Sequence, residues 1–236
     1  MEFEDSNLQA VREDRLIIEG FDNWLFEEFE LYVGQRIIEI GCGHGNLLIH
    51  FKNRGFVVGI ENSPDSVKKA KHKFSSIKNI NIIEASITDM KSLIPLEEKF
   101  DTAISLNVFE HIEDDDLAIH NTWKLLQPGG IFILIVPAHN WLYGTMDRSI
   151  GHYRRYTKTT VLNKFRQSNF RTIHCRYLNM IGALGWLANG RILKKTIPPK
   201  GQLQAFNYLV PYIKIIEDKI NPPFGISLMI IAKKQL

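Results

Sequence analysis

The chain has 236 residues, of which 44% are hydrophobic and 23% charged. That length fits one large domain or two small ones, and the composition excludes intrinsic disorder. A net charge of +3, with both signs interspersed, is too mild to indicate a nucleic-acid partner. No apolar run reaches the 18 or so residues of a membrane span. The first twenty residues, MEFEDSNLQAVREDRLIIEG, carry acids and lack the apolar stretch of a signal peptide. Cys42 and Cys175 form no CxxC or Cys/His pair, and the eight histidines show no HExxH spacing. The expectation is a reducing, cytoplasmic setting and no metal site.

In chain order, FDNWLFEEFELYV places Phe21, Trp24, Leu25, Phe29 and Tyr32 at helical spacing. RIIEI (36–40) is a short β-branched strand that stops at glycine. NLLIHFKNRG (46–55) reads as a helix ended by a left-handed Gly55, and FVVGI (56–60) as a strand. SPDSVKKAKHKF opens with Ser63 as N-cap, Pro64 at the first helical position and Asp65 near the positive helix end. NINIIEA and FDTAISL (100–106) are strands, and DDDLAIHNTWKLL is a helix with an acidic first turn. The turn PGG (128–130) leads into IFILIVP, apolar enough to be buried on both faces. A helix (157–170), the strand RTIHCRYL, a mixed region with two Pro-Pro pairs and the last strand ISLMIIA complete the chain.

This alternation of strands and helices implies an α/β, doubly wound, mostly parallel sheet with helices on both faces. One domain is expected over 1–236. It comprises an N-terminal helical cap (1–35), a cofactor-binding half (36–136) and a substrate-side half (137–236) with a helical insertion at 178–225.

The segment IIEIGCGHGNLL carries the most chemistry. Gly41, Gly43 and Gly45 follow a strand, where the absence of Cβ lets the backbone turn sharply and approach a ligand. A dinucleotide fingerprint needs glycine where Asn46 stands, so a small cationic cofactor fits better than a pyrophosphate. Glu39 can hold a positive amino group. Glu61 ends the next strand, where a carboxylate can accept both hydroxyls of a ribose. The plainer alternative is a tight turn followed by an exposed acid.

Here the sequence resembles the class I S-adenosylmethionine-dependent methyltransferases, whose Rossmann-like fold has seven strands with the last antiparallel. EIGCGHG resembles the first motif of that family, IEN its acidic second-strand end, FDTAISLNVFEHIEDD its fourth-strand motif and LLQPGGIFILIVP the strand beyond. The resemblance implies that Gly41 and Gly43 pack against the methionine part of the cofactor and that Glu61 takes the ribose hydroxyls. It also implies that Asn107 and Val108 line the cofactor beside the reacting sulfur. Cys42, Gly45, Asn46, Asn62 and Ile87 complete the expected cofactor wall. The family commonly has Asp at the end of the third strand, facing the adenine amino group. Here Ser86 stands there, with Asp89 three residues on. GHYRRY and its neighbouring phrases resemble a narrower bacterial and archaeal subgroup often associated with glycosyltransferases of surface-polysaccharide or lipid-linked sugar synthesis.

Methyl transfer to a hydroxyl needs in-line alignment, exclusion of water and a base. His111, His139 and His152 are the candidate bases, against plainer roles in capping a helix start or packing a loop. Tyr143, Asp147, Arg154, Arg155 and Tyr156 are the candidate acceptor contacts, with paired N–H donors able to clamp an anionic group. For the two arginines the alternatives are a solvated face or ion pairs with the acidic helix start at Glu113–Asp116. Residues 178–195 contain Trp186 with Arg191, Lys194 and Lys195 at the edge, which suits a membrane interface. A cover over the substrate cleft or a dimer contact suits them as well. The expected function is therefore S-adenosylmethionine-dependent methyl transfer to a small-molecule, sugar or lipid-linked acceptor. The alternatives are a non-catalytic cofactor-binding partner protein and a nicotinamide oxidoreductase, against which Asn46 stands.

Overall fold

The structure, a computed structural model, describes residues 19–93 and 99–235. Most of the expected N-terminal cap and the segment judged against a signal peptide lie outside the described residues. The first described element is α1 (Glu19–Phe29), which buries Phe21, Trp24, Leu25 and Phe29 as its spacing predicts. Seven strands follow: β1 (Arg36–Ile40), β2 (Phe56–Glu61), β3 (Ile80–Glu84), β4 (Phe100–Leu106), β5 (Leu126–Pro137), β6 (Phe170–Leu178) and β7 (Ser227–Lys234). They form one sheet in the order β3-β2-β1-β4-β5-β7-β6, parallel except for β7, which runs antiparallel to both neighbours.

Alternation along β5 explains its unbroken apolar run. Phe132, Leu134 and Val136 enter one buried cluster and Ile133 and Ile135 the other, on opposite faces of the sheet. The first cluster is covered by α3 (Asp115–Leu125) and α5 (Lys158–Gln167), through Ala118, Ile119, Val161 and Phe165. The second is covered by α1, α2 (Pro64–Lys73) and α7 (Lys200–Lys219), through Trp24, Val67, Ala70, Val210 and Ile213. Between β5 and α5 lies the short α4 (Thr145–Ser149), and α6 (Met180–Leu187) opens the insertion.

Ser63 caps its helix as the sequence predicts, and the acidic start of α3 supplies a second cap. Ser63 Oγ accepts from the Ser66 N–H behind Pro64, and Asp114 caps α3 by accepting from Leu117 N–H at 2.9 Å. Two elements differ, the first being PGG (128–130), which is not a turn before a strand but part of β5 at a register shift against β4. The helix expected over 46–55 is a single 3₁₀ turn, Leu48–Phe51, and Gly55 is not left-handed. The glycine turn ends only at Gly45, and Phe56 N–H must already bond to Gln35 carbonyl at 2.8 Å to start β2. The interval holds one tight turn, which buries Leu48 and Phe51. Among the described residues, no helix is long and apolar enough to cross a membrane.

Candidate active site

Strand order reverses between β1 and β4, which is where an open α/β sheet leaves a crevice beyond its strand ends. A cavity of about 770 Å3 opens there, within the range of ligand pockets. On the β1 side the chain turns through Gly41, Gly43 and Gly45, all at positive φ (72°, 53° and 75°). Their roles separate. A Cβ on Gly41 would lie 2.5 Å from Val108 of the β4 loop, whereas one on Gly43 would meet nothing within 4 Å. Gly43 therefore presents open backbone to the cavity. Gly45 does not line it; a Cβ there would strike the Phe74 ring at 2.3 Å. Its missing side chain serves packing against the end of α2, which corrects its expected place in the cofactor wall.

The Glu61 carboxylate braces this turn. It accepts from the N–H groups of Gly43 (2.9 Å), Asn62 (3.1 Å) and Ser63 (2.9 Å), and it faces the cavity although 3% exposed. Glu39, Cys42, Asn46, Asn62, Ser86, Ile87, Asn107 and Val108 join it on the wall. Asn107 adopts a left-handed φ of 53° that turns the chain past the β4 end. Ser86 Oγ bonds with Thr88 Oγ1 at 2.9 Å, while Asp89 is exposed, accepts from Lys91 N–H and stays off the wall. Lys73 reaches back to Gly45 carbonyl at 3.2 Å; burial lowers its pKa against the opposing pull of Glu39.

The opposite wall is polar at one place. His152 Nδ1 lies 2.9 Å from Asp147 Oδ1, and its Nε2 lies 3.7 Å from Glu110 Oε1. The His111 ring meets the His152 ring edge-on with centroids 4.7 Å apart. Glu110, His111 and His152 all line the cavity, and their donor atoms lie within 4.8 Å of one another, a set able to hold a divalent cation. No local spacing announces this set, because His152 comes from a loop some forty residues beyond Glu110.

Asp147 is completely buried and organises that loop. Besides His152 it accepts from Arg155 Nε at 2.7 Å, Gly144 N–H at 2.9 Å and Trp186 Nε1 at 3.0 Å. Burial by itself would raise its pKa, but the His152 hydrogen bond and the Arg155 charge prevail and hold it at about 2. Arg155, whose guanidinium also lies 5.0 Å over the Trp186 ring and bonds to Ala138 carbonyl, is on the cavity wall.

The other expected acceptor contacts are not brought to the cavity. Tyr143 donates its O–H to His152 carbonyl at 2.7 Å. Tyr156 donates to Asp115 and to Phe109 carbonyl, and its pKa is raised by burial and the Asp115 charge. Arg154 pairs with Asp115 at 2.8 Å and with Glu113 carbonyl, the ion-pair alternative at the start of α3. Asp147 itself has no face on the cavity. His139 also lies off the wall, with its ring 4.4 Å from Tyr177, and desolvation lowers its pKa. For the tyrosines, Arg154 and Asp147 a nearer protein group satisfies the side chain, whereas His139 Nε2 is buried without a hydrogen-bond partner among the described residues.

No motif announces the remaining wall, although a cover over the cleft is one of the readings of 178–195. Phe21 and Asp22 come from α1, and Ile181, Leu184, Trp186, Gln202, Leu203, Phe206 and Leu209 from the insertion, which folds over the crevice. Glu217 fixes the entry to that insertion by accepting from Asn179 N–H (2.8 Å) and Met180 N–H (2.7 Å), and burial raises its pKa.

Residues 32–183, more than half of the chain and all of β1, the glycine turn, β2 and Glu61, match a family model described as "Methyltransferase domain". The chain belongs to that family. It is 29% identical over 151 residues to the ubiquinone biosynthesis O-methyltransferase of Bartonella bacilliformis, covering 58% of this chain and 60% of that one. The matched stretch thus spans about three-fifths of the length of such curated relatives. Among solved structures the methyltransferase resembles the N-methyltransferase NodS from Bradyrhizobium japonicum in complex with S-adenosyl-L-homocysteine. The TM-score is 0.58 at 15% identity over 90% of this chain and 84% of that one. It also resembles the cyclase SpnF, with a TM-score of 0.60 at 19% identity over 94% and 81%. These two likenesses concern the fold, on which different chemistries sit.

Proposed function

We propose that the protein transfers a methyl group from S-adenosylmethionine to a hydroxyl of a small, sugar or lipid-linked acceptor, with His152 taking the proton. The observation that carries this reading is that His152, held from behind by the buried Asp147, lines the same cavity as the Gly43–Glu61 cradle. The residues present suit the cofactor. Gly43 leaves open space for it, and Glu39 and Glu61 provide anionic charge for its ammonium, sulfonium and ribose. Ser86–Ile87 and Asn107–Val108 would bound its adenine and methyl ends. When bound, the cofactor supplies the electrophilic methyl group. The protein supplies alignment, exclusion of water and a proton acceptor.

Asp147, ionised down to about pH 2, can only accept hydrogen bonds, so the His152 proton sits on Nδ1 and Nε2 presents its lone pair. Protonation of Nε2 as the acceptor hydroxyl reacts puts the imidazolium between the carboxylates of Asp147 and Glu110, which stabilise it. The apolar side chains Ile181, Leu184, Leu203, Phe206 and Leu209 on the wall suit an acceptor with a hydrocarbon body. Relatives named for ubiquinone O-methylation and the subgroup resemblance of GHYRRY both favour a prenyl-bearing acceptor. The test measures S-adenosylhomocysteine release with a prenylated catechol and with a polyprenyl-linked sugar. Turnover with either is expected, with His152→Gln lowering kcat by about 10²- to 10⁴-fold at unchanged cofactor affinity. Cofactor binding without turnover on either acceptor would favour the non-catalytic reading.

A further inference from the structure

The inner side of the insertion closes the cavity, and its outer side is apolar. Along α7, Val210, Ile213 and Glu217 point inward. Tyr208, Leu209, Tyr212, Ile215 and Ile216 point outward, with Tyr208 75% and Tyr212 60% exposed. A helix face turned to water is normally polar; this one is aromatic and aliphatic for two to three turns. The segment 191–197, RILKKTI, is exposed at every residue, with Ile192 at 70% and Leu193 at 60%. Ile181, Leu184 and Leu209 are at once half-exposed and part of the cavity wall, so the apolar surface continues into the cavity.

Within 179–216 the charge has one sign. From Asn179 to Ile216 the sequence contains Arg191, Lys194, Lys195, Lys200 and Lys214 and no acid. The next acids, Glu217 and Asp218, are respectively buried and paired with Lys214 at 2.7 Å, and Lys214 also lies 3.6 Å from Glu27 of α1, so the basic character of the face rests on Arg191, Lys194 and Lys195. Trp186, by contrast, turns inward to Asp147 and belongs to the wall. Apolar side chains interleaved with flexible cations complement an anionic lipid surface, where the stems lie among acyl chains and the ammonium heads reach the phosphates. A symmetric contact with a second copy would place the same cations against one another.

We infer that the outer face of 181–216 seats the protein on an anionic membrane and that an acceptor with a lipid tail passes from that membrane into the cavity at Ile181, Leu184 and Leu209. The entry route rests on the proposed function; the docking face does not. The test is co-sedimentation with vesicles of phosphatidylcholine alone and of phosphatidylcholine mixed with phosphatidylglycerol, at low and high salt. Binding is expected to the mixed vesicles only and to weaken with salt. Tyr212→Ser with Ile216→Ser, and separately Lys194→Glu with Lys195→Glu, should each lower partitioning about tenfold or more. Melting temperature and S-adenosylhomocysteine affinity, read by calorimetry, should not change. Absence of binding to either vesicle, or binding that neither pair alters, overturns the inference. A concentration-dependent dimer abolished by the same substitutions assigns the face to a second copy and overturns it too. Normal cofactor affinity with no vesicle binding removes the docking face alone, whereas absent cofactor affinity removes the methyl-transfer reading.

Discussion

Replacing Asp147 by alanine removes the carboxylate that pairs directly with Arg155, whose side chain is 1% exposed and would keep the Ala138 carbonyl, the Trp186 ring and the more distant charge of Glu110. Breaking one member out of a buried pair destabilises by about 3–5 kcal/mol, because the remaining charge stays desolvated. For a chain of this size each kcal/mol shifts the melting temperature by roughly 2–4 °C, so Asp147→Ala should melt about 6–20 °C below wild type in a circular-dichroism scan at neutral pH. Asp147→Leu combined with Arg155→Met should recover the ion-pair part of the loss, since an apolar pair carries no desolvation penalty, but not the part that comes from leaving Gly144 N–H and Trp186 Nε1 without their acceptor. The sign with pH follows from the depressed pKa of about 2. Stability from Asp147 is full above its unfolded pKa of about 4 and is lost as pH falls from about 4 to 2. That acid loss should be flatter in the double variant. An Asp147→Ala melting point within about 2 °C of wild type would refute the view that this loop is held by a buried ion pair.

Two further outcomes concern the cofactor. Glu61→Ala should weaken S-adenosylmethionine binding by roughly 2–4 kcal/mol, at about 1.5–3 for each charge-assisted bond less replacement by water; unchanged calorimetric affinity would sink the ribose assignment. Ser86→Asp should tighten binding several-fold, because a charged acceptor binds an amino group more strongly than a hydroxyl does, and Asp89 is turned to solvent. A measured loss would show that the adenine lies elsewhere.

The strands, the Ser63–Pro64 helix start and the two-faced burial of β5 were legible because each depends on residues a few positions apart. Period, propensity and caps act at that range. The glycine turn and Glu61 were legible for the same reason: strand ends fix where a turn and an acid must sit. Local pattern failed where packing between distant elements decided. Leu48 and Phe51 share the spacing of a helix, but the segment between the glycine turn and β2 closes as a single 3₁₀ turn that buries both. Gly45 belongs to a cofactor motif by sequence and to the Phe74 contact by structure. The loop rich in tyrosine, arginine and histidine read as an acceptor surface, yet only His152 and Arg155 of its expected functional residues reach the cavity. The buried Asp115 and Asp147 draw Arg154 and Tyr156 to one and His152 and Arg155 to the other. A polar side chain takes the nearest partner that satisfies it, and which partner is nearest depends on contacts across tens of residues that only the folded chain creates.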